Sequence, residues 1–286
     1  IMNTINKARV IAFYLPQFHP IPENDEWWMK GFTEWTNVGK ARSLFPGHYQ
    51  PKVPADLGYY DLRVPETRQV QADMAREYGI EGFCYWHYWF GNGKRLLERP
   101  FNEVLASGKP DFPFCLAWAN ESWKGFFHGV KTKQALITQL YPGEDDYIAH
   151  FETVLPAFKD PRYITVDDKP VFMIYQPFQH PQIKEFMALW QKLAMNNGLK
   201  GIFFIGQTYH LTEERAELMD MGFDAINVTR LFDFEKKAKF LYKCAKWRHR
   251  IFRCPKIMEY KKVSRFFVGD EAVSYTHLTL PTNSRV

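Results

Sequence analysis

The sequence predicts an α/β fold and, within that class, a (β/α)8 TIM-type barrel. Short apolar runs rich in β-forming residues recur along the 286 residues, with amphipathic helical patterns between them. This alternation is typical of parallel strands joined by right-handed crossovers, and strands covered on both faces read as near-continuous hydrophobic runs. Neither GxGxxG nor GxxxxGK[ST] occurs, so nothing favours a dinucleotide-binding or P-loop fold. A barrel is therefore the expected architecture.

Six strands are predicted before residue 230. A closed barrel of this type needs eight strands, so we expect the barrel to be truncated after about six strands. The six are Arg9–Tyr14, Glu81–His87, Pro113–Trp118, Val171–Tyr175, Gly201–Gly206 and Asp224–Val228.

Four helices are predicted between these strands. The first opens at Pro65 and closes at Gly79, and the others cover Asp145–Lys159, Pro181–Asn197 and Thr212–Met221. Proline in the first turn and glycine after the last turn are common start and stop signals.

The C-terminal stretch 273–286, VSYTHLTLPTNSRV, continues neither the strand nor the helix pattern. It resembles translated vector or adapter sequence. We therefore expect one C-terminally incomplete barrel domain over residues 1–272 and a non-native tail over 273–286. A genuine disordered terminus is the alternative.

The four cysteines form no CxxC pair and no Cys/His ligand spacing. A zinc site or disulfide framework is not indicated, and we expect neither a metal nor another cofactor. The first nine residues lack the apolar core of a signal peptide, and no apolar run reaches membrane-spanning length. A cytoplasmic location is the resulting expectation.

A basic segment covers residues 235–265, which contain twelve Lys and Arg residues but only two Glu residues. Such a block is typical of a peripheral membrane contact or a polyanion contact. A solvated helix face is the alternative. We expect no nucleic-acid partner.

Two clusters of candidate binding residues follow the first strand. Tyr14, Gln17 and His19 lie around two prolines, and a structural turn in which His19 caps a backbone group is the alternative. Glu34 and Trp35 lie in a long tryptophan-rich connection with no clear secondary structure. Long loops inside compact domains are often functional; here a buried hydrophobic patch is the alternative.

Two more clusters end the second and third strands, where barrel enzymes build their active sites. Strand alternation places Tyr85 and His87 on one face, and we expect that face to line the barrel axis; a core histidine is the alternative. Trp118 ends the third strand, and Asn120 and Glu121 follow it. An Asn-Glu pair at a strand end is typical of barrel glycosidases, where the glutamate acts as acid or base. Glycoside cleavage needs a second carboxyl group, for which Glu34 is the candidate.

Several segments together closely resemble the WbsX-type family of glycosyltransferase-like and lipopolysaccharide-biosynthesis proteins. That family is related to glycoside hydrolase family 99, the endo-acting α-mannosidases and mannanases. The resemblance covers roughly residues 9–230. It rests on YLPQFHPIPENDEWWMKGFTEWTNV, GHYQPKVPADLGYYDLR, EYGIEGFCYWHYWF, RPFNEVLASGKPDFPFCLAWANESW and FKDPRYITVDDKPVFMIY.

The resemblance implies a barrel that acts on mannose-type glycans or cell-surface polysaccharide. The family pattern has a late Asn-Glu-Trp-x-Glu segment that supplies the catalytic carboxylates, and this sequence has none; its late glutamates Glu235, Glu259 and Glu271 lack that context. Glu121 is the remaining catalytic candidate, as an assisting group. The binding residues carried over are Tyr14, Gln17, His19, Glu34, Trp35, Tyr85, His87, Trp118 and Asn120. A glycosyltransferase and a non-catalytic glycan-binding barrel are the competing functions.

Overall fold

A computed structural model of the chain describes residues 8–124, 135–229, 239–252 and 255. The first half contains β1 (Ile11–Tyr14), α1 (Pro22–Trp27), α2 (Glu34–Lys40), α3 (Pro65–Glu77), β2 (Gly82–His87), α4 (Arg99–Ser107), β3 (Phe114–Trp118), β4 (Trp123–Lys124) and β5 (Ala135–Ile137). The second half contains α5 (Glu144–Phe158), β6 (Thr165–Val166), β7 (Lys169–Ile174), a 3-10 turn (Pro177–Gln179), α6 (Ile183–Asn196), β8 (Phe203–Thr208), α7 (Leu211–Met221), β9 (Ala225–Val228) and α8 (Lys239–Phe252).

Six parallel strands run through one curled sheet in the order β1-β2-β3-β7-β8-β9, and the two-residue strand β6 pairs antiparallel with β7 as a seventh. The six parallel strands are the predicted ones, and the predicted helices correspond to α3, α5, α6 and α7. The described strands make a half-barrel, which confirms the α/β barrel type and the count of six parallel strands. The predicted tail 273–286 lies outside the described residues.

The connection after β1 differs from the expectation of no secondary structure. Two short helices, α1 and α2, occupy it. Pro22 opens α1 in its first turn, where a proline removes no needed hydrogen bond. The backbone N–H of Thr33 donates to the Thr36 hydroxyl, and this hydrogen bond caps the N-terminus of α2.

One face of the sheet, here called the outer face, packs against the helices. Phe172 of β7 contacts Trp190 of α6 with ring centroids 4.8 Å apart, and Trp118 of β3 contacts Phe186 of α6 at 5.3 Å. Trp190 and Phe172 are fully buried. The opposite side of the sheet is called the inner face, and it corresponds to the axis of a complete barrel.

The expectation that Tyr85 and His87 line the barrel axis is wrong. Tyr85 packs on Phe101 of α4, with ring centroids 5.2 Å apart, so it lies on the outer face. His87 reaches His150 of α5 from the same face. The alternation along β2 was predicted correctly, but it is Trp86 that lies on the inner face, where it stacks on Phe13.

Candidate functional site

An aromatic cluster lies on the inner face at the carboxyl ends of the strands. It consists of Phe13, Trp86, Tyr175 and Tyr209 and is called the inner aromatic cluster. Phe13 and Trp86 stack with centroids 5.0 Å apart and planes 10° apart, and Trp86 meets Tyr175 edge-on at 5.4 Å. The hydroxyls of Tyr175 and Tyr209 share a hydrogen bond of 2.8 Å. All four side chains are partly exposed, so the cluster offers ring faces and hydroxyls to a ligand.

Glu121 lies beside this cluster and is half-buried. Burial raises the pKa of its carboxyl group, opposed by the nearby charge of Lys124. Burial and the Tyr209 hydrogen bond raise the pKa of Tyr175, and the negative charge of Glu121 adds to that rise. A carboxyl group with a raised pKa is a reasonable proton donor or hydrogen-bond partner for a bound hydroxyl.

A second polar group joins the connection after β1 to the end of β2. The Gln17 amide donates to the Tyr88 hydroxyl over 2.8 Å. Burial raises the pKa of Tyr88, and the charge of Glu34 raises it further. The structure therefore brings together Gln17 and Glu34, two of the predicted site residues, around a tyrosine.

Asn120 is fully buried and joins the ends of β3 and β7. Its side-chain oxygen accepts from the Gln176 backbone N–H at 2.8 Å, and its amide nitrogen donates to the Gln176 carbonyl at 2.9 Å. The same nitrogen lies 3.1 Å from the Tyr141 hydroxyl. These hydrogen bonds fix the strand ends on which Glu121 and Tyr175 are carried, so Asn120 acts here as a positioning residue.

His87 and Trp118 belong to a buried group on the outer face. The Nε2 atoms of His87 and His150 lie 2.8 Å apart, so one ring donates to the other. Burial lowers the pKa of His87 to about 3 and holds that of His150 well below its usual value. The Trp118 indole N–H donates to the Trp89 carbonyl. The His87 and Trp118 rings therefore lie in the interior, between the sheet and the helices.

The remaining predicted residues lie near β1. The Tyr14 hydroxyl donates to Gln71 at 2.6 Å, and the Trp35 indole N–H donates to the Tyr60 carbonyl at 2.8 Å. His19 is buried, and neither of its ring nitrogens has a hydrogen-bond partner among the described residues. Burial lowers the pKa of His19, while the charge of Asp61 opposes this. The bonds of Tyr14 and Trp35 are those of packing residues.

An open cavity of about 430 Å³ runs between β1 and α3, with Leu57, Met74 and Phe83 among its walls. Its polar atoms include the Tyr14 hydroxyl and the Gln71 amide, which already bind each other. Of the four residues of the inner aromatic cluster, only Phe13 lines this cavity. The inner aromatic cluster, with Glu121 beside it, is the better candidate for a functional site.

Sequence reasoning identified none of the four members of the inner aromatic cluster as site residues: Phe13, Trp86, Tyr175 and Tyr209. Tyr175 and Tyr209 follow β7 and β8 directly. The rule that barrel sites lie at the carboxyl ends of strands identifies them when it is applied beyond the third strand. Trp86 needed knowledge of which face the helices cover.

The match to a protein family shows which family the chain belongs to. A model of the family described as "Glycosyltransferase WbsX" matches residues 10–282. The chain belongs to the WbsX glycosyltransferase family. It is therefore a domain of a carbohydrate-active family.

Relatives of this WbsX-family chain occur in Xanthomonas campestris pv. campestris. Proteins from two strains, both named "Uncharacterized protein WxcX", are 44% identical to it over 220 residues. The match covers 76% of this chain and 30% of each relative. The chain thus spans less than a third of the length of these relatives.

Solved structures show the same fold. The endo-α-mannosidase of glycoside hydrolase family 99 from Bacteroides thetaiotaomicron is similar to it, alone and in complex with bis-tris-propane, with a TM-score of 0.51 in each case. Sequence identity is 15%, and the match covers 85% of this chain and 66% to 68% of the other. At this identity the likeness supports the barrel-type fold.

Proposed function

We propose that this domain binds a mannose-type glycan, or a similar cell-surface polysaccharide, on the inner aromatic cluster. The observation that carries the proposal is the combination of the Trp86 ring, the Tyr175–Tyr209 hydroxyl pair and the Glu121 carboxyl at one end of the sheet. Ligand sites combine apolar and aromatic walls with a few placed polar groups. Aromatic rings can pack on the apolar face of a sugar, while hydroxyl and carboxyl groups bind its hydroxyls.

The reaction proposed for the whole protein is hydrolysis of the endo-mannosidase kind, and the part proposed for this chain is glycan binding. Glycosidases of the usual type use two carboxyl groups, and Glu121 is the carboxyl group whose charge acts on the cluster. In this proposal Glu121 assists by binding a sugar hydroxyl, and the chain binds glycan without cleaving it at a measurable rate. The Gln17–Tyr88–Glu34 group supplies further contacts.

The family description favours a second candidate, a glycosyltransferase of polysaccharide or lipopolysaccharide biosynthesis. The two reactions differ in their donor, because a transferase consumes an activated sugar. The assay uses the whole protein. Release of nucleotide or lipid phosphate from a sugar donor would favour the transferase, whereas release of free oligosaccharide from mannan would favour the hydrolase. A cytoplasmic site of action and the lack of a nucleic-acid partner remain predictions.

The proposal is tested by calorimetric titration of the chain with α-linked manno-oligosaccharides. Trp86→Ala should weaken binding at least tenfold, because it removes the stacking ring. Glu121→Gln should weaken it less, because the amide keeps one acceptor. The matched controls are Tyr78→Ala, which changes an aromatic residue that is 77% exposed at the end of α3, and Glu152→Gln on the exposed side of α5.

Each variant is first checked for a parent-like circular dichroism spectrum and thermal midpoint. Unchanged affinity in a folded Trp86→Ala variant would show that the inner aromatic cluster is not the glycan site. Binding of cello-oligosaccharides with equal affinity would remove the mannose assignment and keep the site.

A further inference from the structure

Helix α8 carries an apolar stripe along one side. Its sequence, KFLYKCAKWRHRIF, places four apolar residues at relative positions 0, 4, 7 and 11. Residues with this spacing share one face of an α-helix. They are Phe240, Cys244, Trp247 and Ile251.

A cationic stripe runs alongside it with the same spacing. Its members are Lys239, Lys243, Lys246 and Arg250. At 100° per residue these four side chains project on the flank of the apolar stripe, and Arg248 projects on its other flank. The helix contains no Asp or Glu, so the apolar stripe is bordered by positive charge on both sides.

The apolar stripe is exposed to solvent. Phe240 is 78% exposed, Trp247 is 61% exposed and Ile251 is 52% exposed, and Cys244 is also exposed. In α8 only Ala245 is buried. A helix at the surface of a globular domain ordinarily turns its apolar stripe toward the core. Here the stripe is exposed instead.

We propose that α8 is a docking helix for an anionic lipid bilayer. An interfacial helix combines an apolar face that enters the boundary between headgroups and acyl chains with a Lys/Arg-rich polar face and Trp or Phe anchors. Five Lys and Arg residues in fourteen disfavour a spanning orientation, so the helix lies in the plane of the surface. Trp247 and Phe240 enter the interface, and the flanking cations contact lipid phosphates.

Negative charge in the partner is the specific requirement of this surface. If the partner were a second copy of the chain, the positive charges that border the two apolar stripes would come close together, which costs electrostatic free energy. An anionic leaflet neutralises them, and each Lys or Arg near such a surface strengthens binding about fivefold. This inference stands independently of the glycan-binding proposal, because it uses none of the same residues.

Cys244 provides a direct probe, because it lies on the apolar stripe. Cys254→Ser leaves Cys84, Cys115 and Cys244 as the remaining thiols, and of these Cys84 and Cys115 are buried. Cys244 is labelled with a polarity-sensitive fluorophore and mixed with vesicles of phosphatidylcholine alone or with 30% phosphatidylglycerol. The expected result is a blue shift and co-sedimentation with the anionic vesicles, both reduced at 0.5 M NaCl.

Two double variants separate the contributions of the stripes. Lys243→Glu with Lys246→Glu should lower the partition coefficient at least tenfold, and Phe240→Ser with Trp247→Ser should remove the blue shift. Lys159→Glu with Lys192→Glu, at exposed positions of the chain outside α8, makes the same charge change and should have much smaller effects. All variants are compared at equal helical content.

Equal binding to neutral and anionic vesicles would overturn the proposal. So would unchanged binding in the Phe240→Ser, Trp247→Ser variant. A concentration-dependent dimer that this variant abolishes, together with no vesicle binding by the parent, would assign the stripe to self-association instead.

Discussion

Asn120 and Glu121 are neighbours in the chain with opposite surroundings. Asn120 is fully buried and hydrogen-bonded to the Gln176 backbone on both sides of its amide. Glu121 is half-buried, with a raised pKa, beside Tyr175. The sequence predicts both as site residues, but it does not distinguish a residue that holds the strand ends from one that faces a ligand.

Replacement of Asn120 by alanine should therefore act first on stability. It leaves the part-buried Gln176 N–H and carbonyl without their Asn120 partner, which costs about 1–3 kcal/mol. Urea unfolding should show this loss, whereas Asn196→Ala, at an exposed position on α6, should change stability by less than about 0.5 kcal/mol. An Asn120→Ala chain as stable as the parent would contradict the positioning role.

The His87–His150 pair makes the domain sensitive to acid. Burial holds the pKa of His87 at about 3, far below the value of about 6.5 expected in the unfolded chain. Below pH 6.5 the unfolded state binds protons that the folded state does not, so folding stability falls as the pH decreases from 6.5 toward 3. Each such histidine contributes up to about 1.4 kcal/mol per pH unit.

This pH dependence can be measured by urea unfolding at pH 7, 6 and 5. His150→Gln should reduce the slope of the unfolding free energy against pH by the equivalent of about one bound proton, although the variant is less stable at pH 7. The same slope in parent and variant would mean that the buried pair does not control acid stability.

At the scale of secondary structure, the six parallel strands and four of the helices were predictable because burial leaves a pattern in the sequence. The six parallel strands are near-continuous apolar runs, and α6 repeats its apolar residues every three or four positions. Helices α1 and α2 were not predictable in this way, because they are six and seven residues long and lie in a polar, aromatic connection. Two turns of helix are too short to show a period.

Helix α6 stabilises the half-barrel through Trp190. Its ring is fully buried and contacts Phe172 of β7 at 4.8 Å and His150 of α5 at 4.9 Å. Trp190→Ala should cost about 3–5 kcal/mol in the free energy of unfolding, because the cavity cannot fill. The control Met195→Ala removes a side chain that is 59% exposed on the same helix and should be nearly neutral. Equal small losses in both variants would contradict this packing.

At the scale of the whole molecule, the sequence predicted the class of fold and the six parallel strands of the described sheet. That the site lies at the carboxyl ends of these strands stays a prediction. The sequence did not predict which face of β2 turns inward, because alternation fixes two faces without saying which one the helices cover. Trp86 and Tyr85 are both large and aromatic, so hydrophobicity could not separate them. Helices α4, α5 and α6 decide the matter, because Phe101, His150 and Phe186 on these helices cover Tyr85, His87 and Trp118 respectively.

The central claim is that glycan binds on the inner aromatic cluster, and hydroxyl-radical footprinting with mass spectrometry tests it most directly. On addition of saturating manno-oligosaccharide, oxidation of Trp86, Tyr175 and Tyr209 should fall at least threefold, while exposed Tyr78 and Trp247 should be oxidised as before. Protection confined to residues outside the cluster, or no protection at a saturating concentration, would contradict the claim.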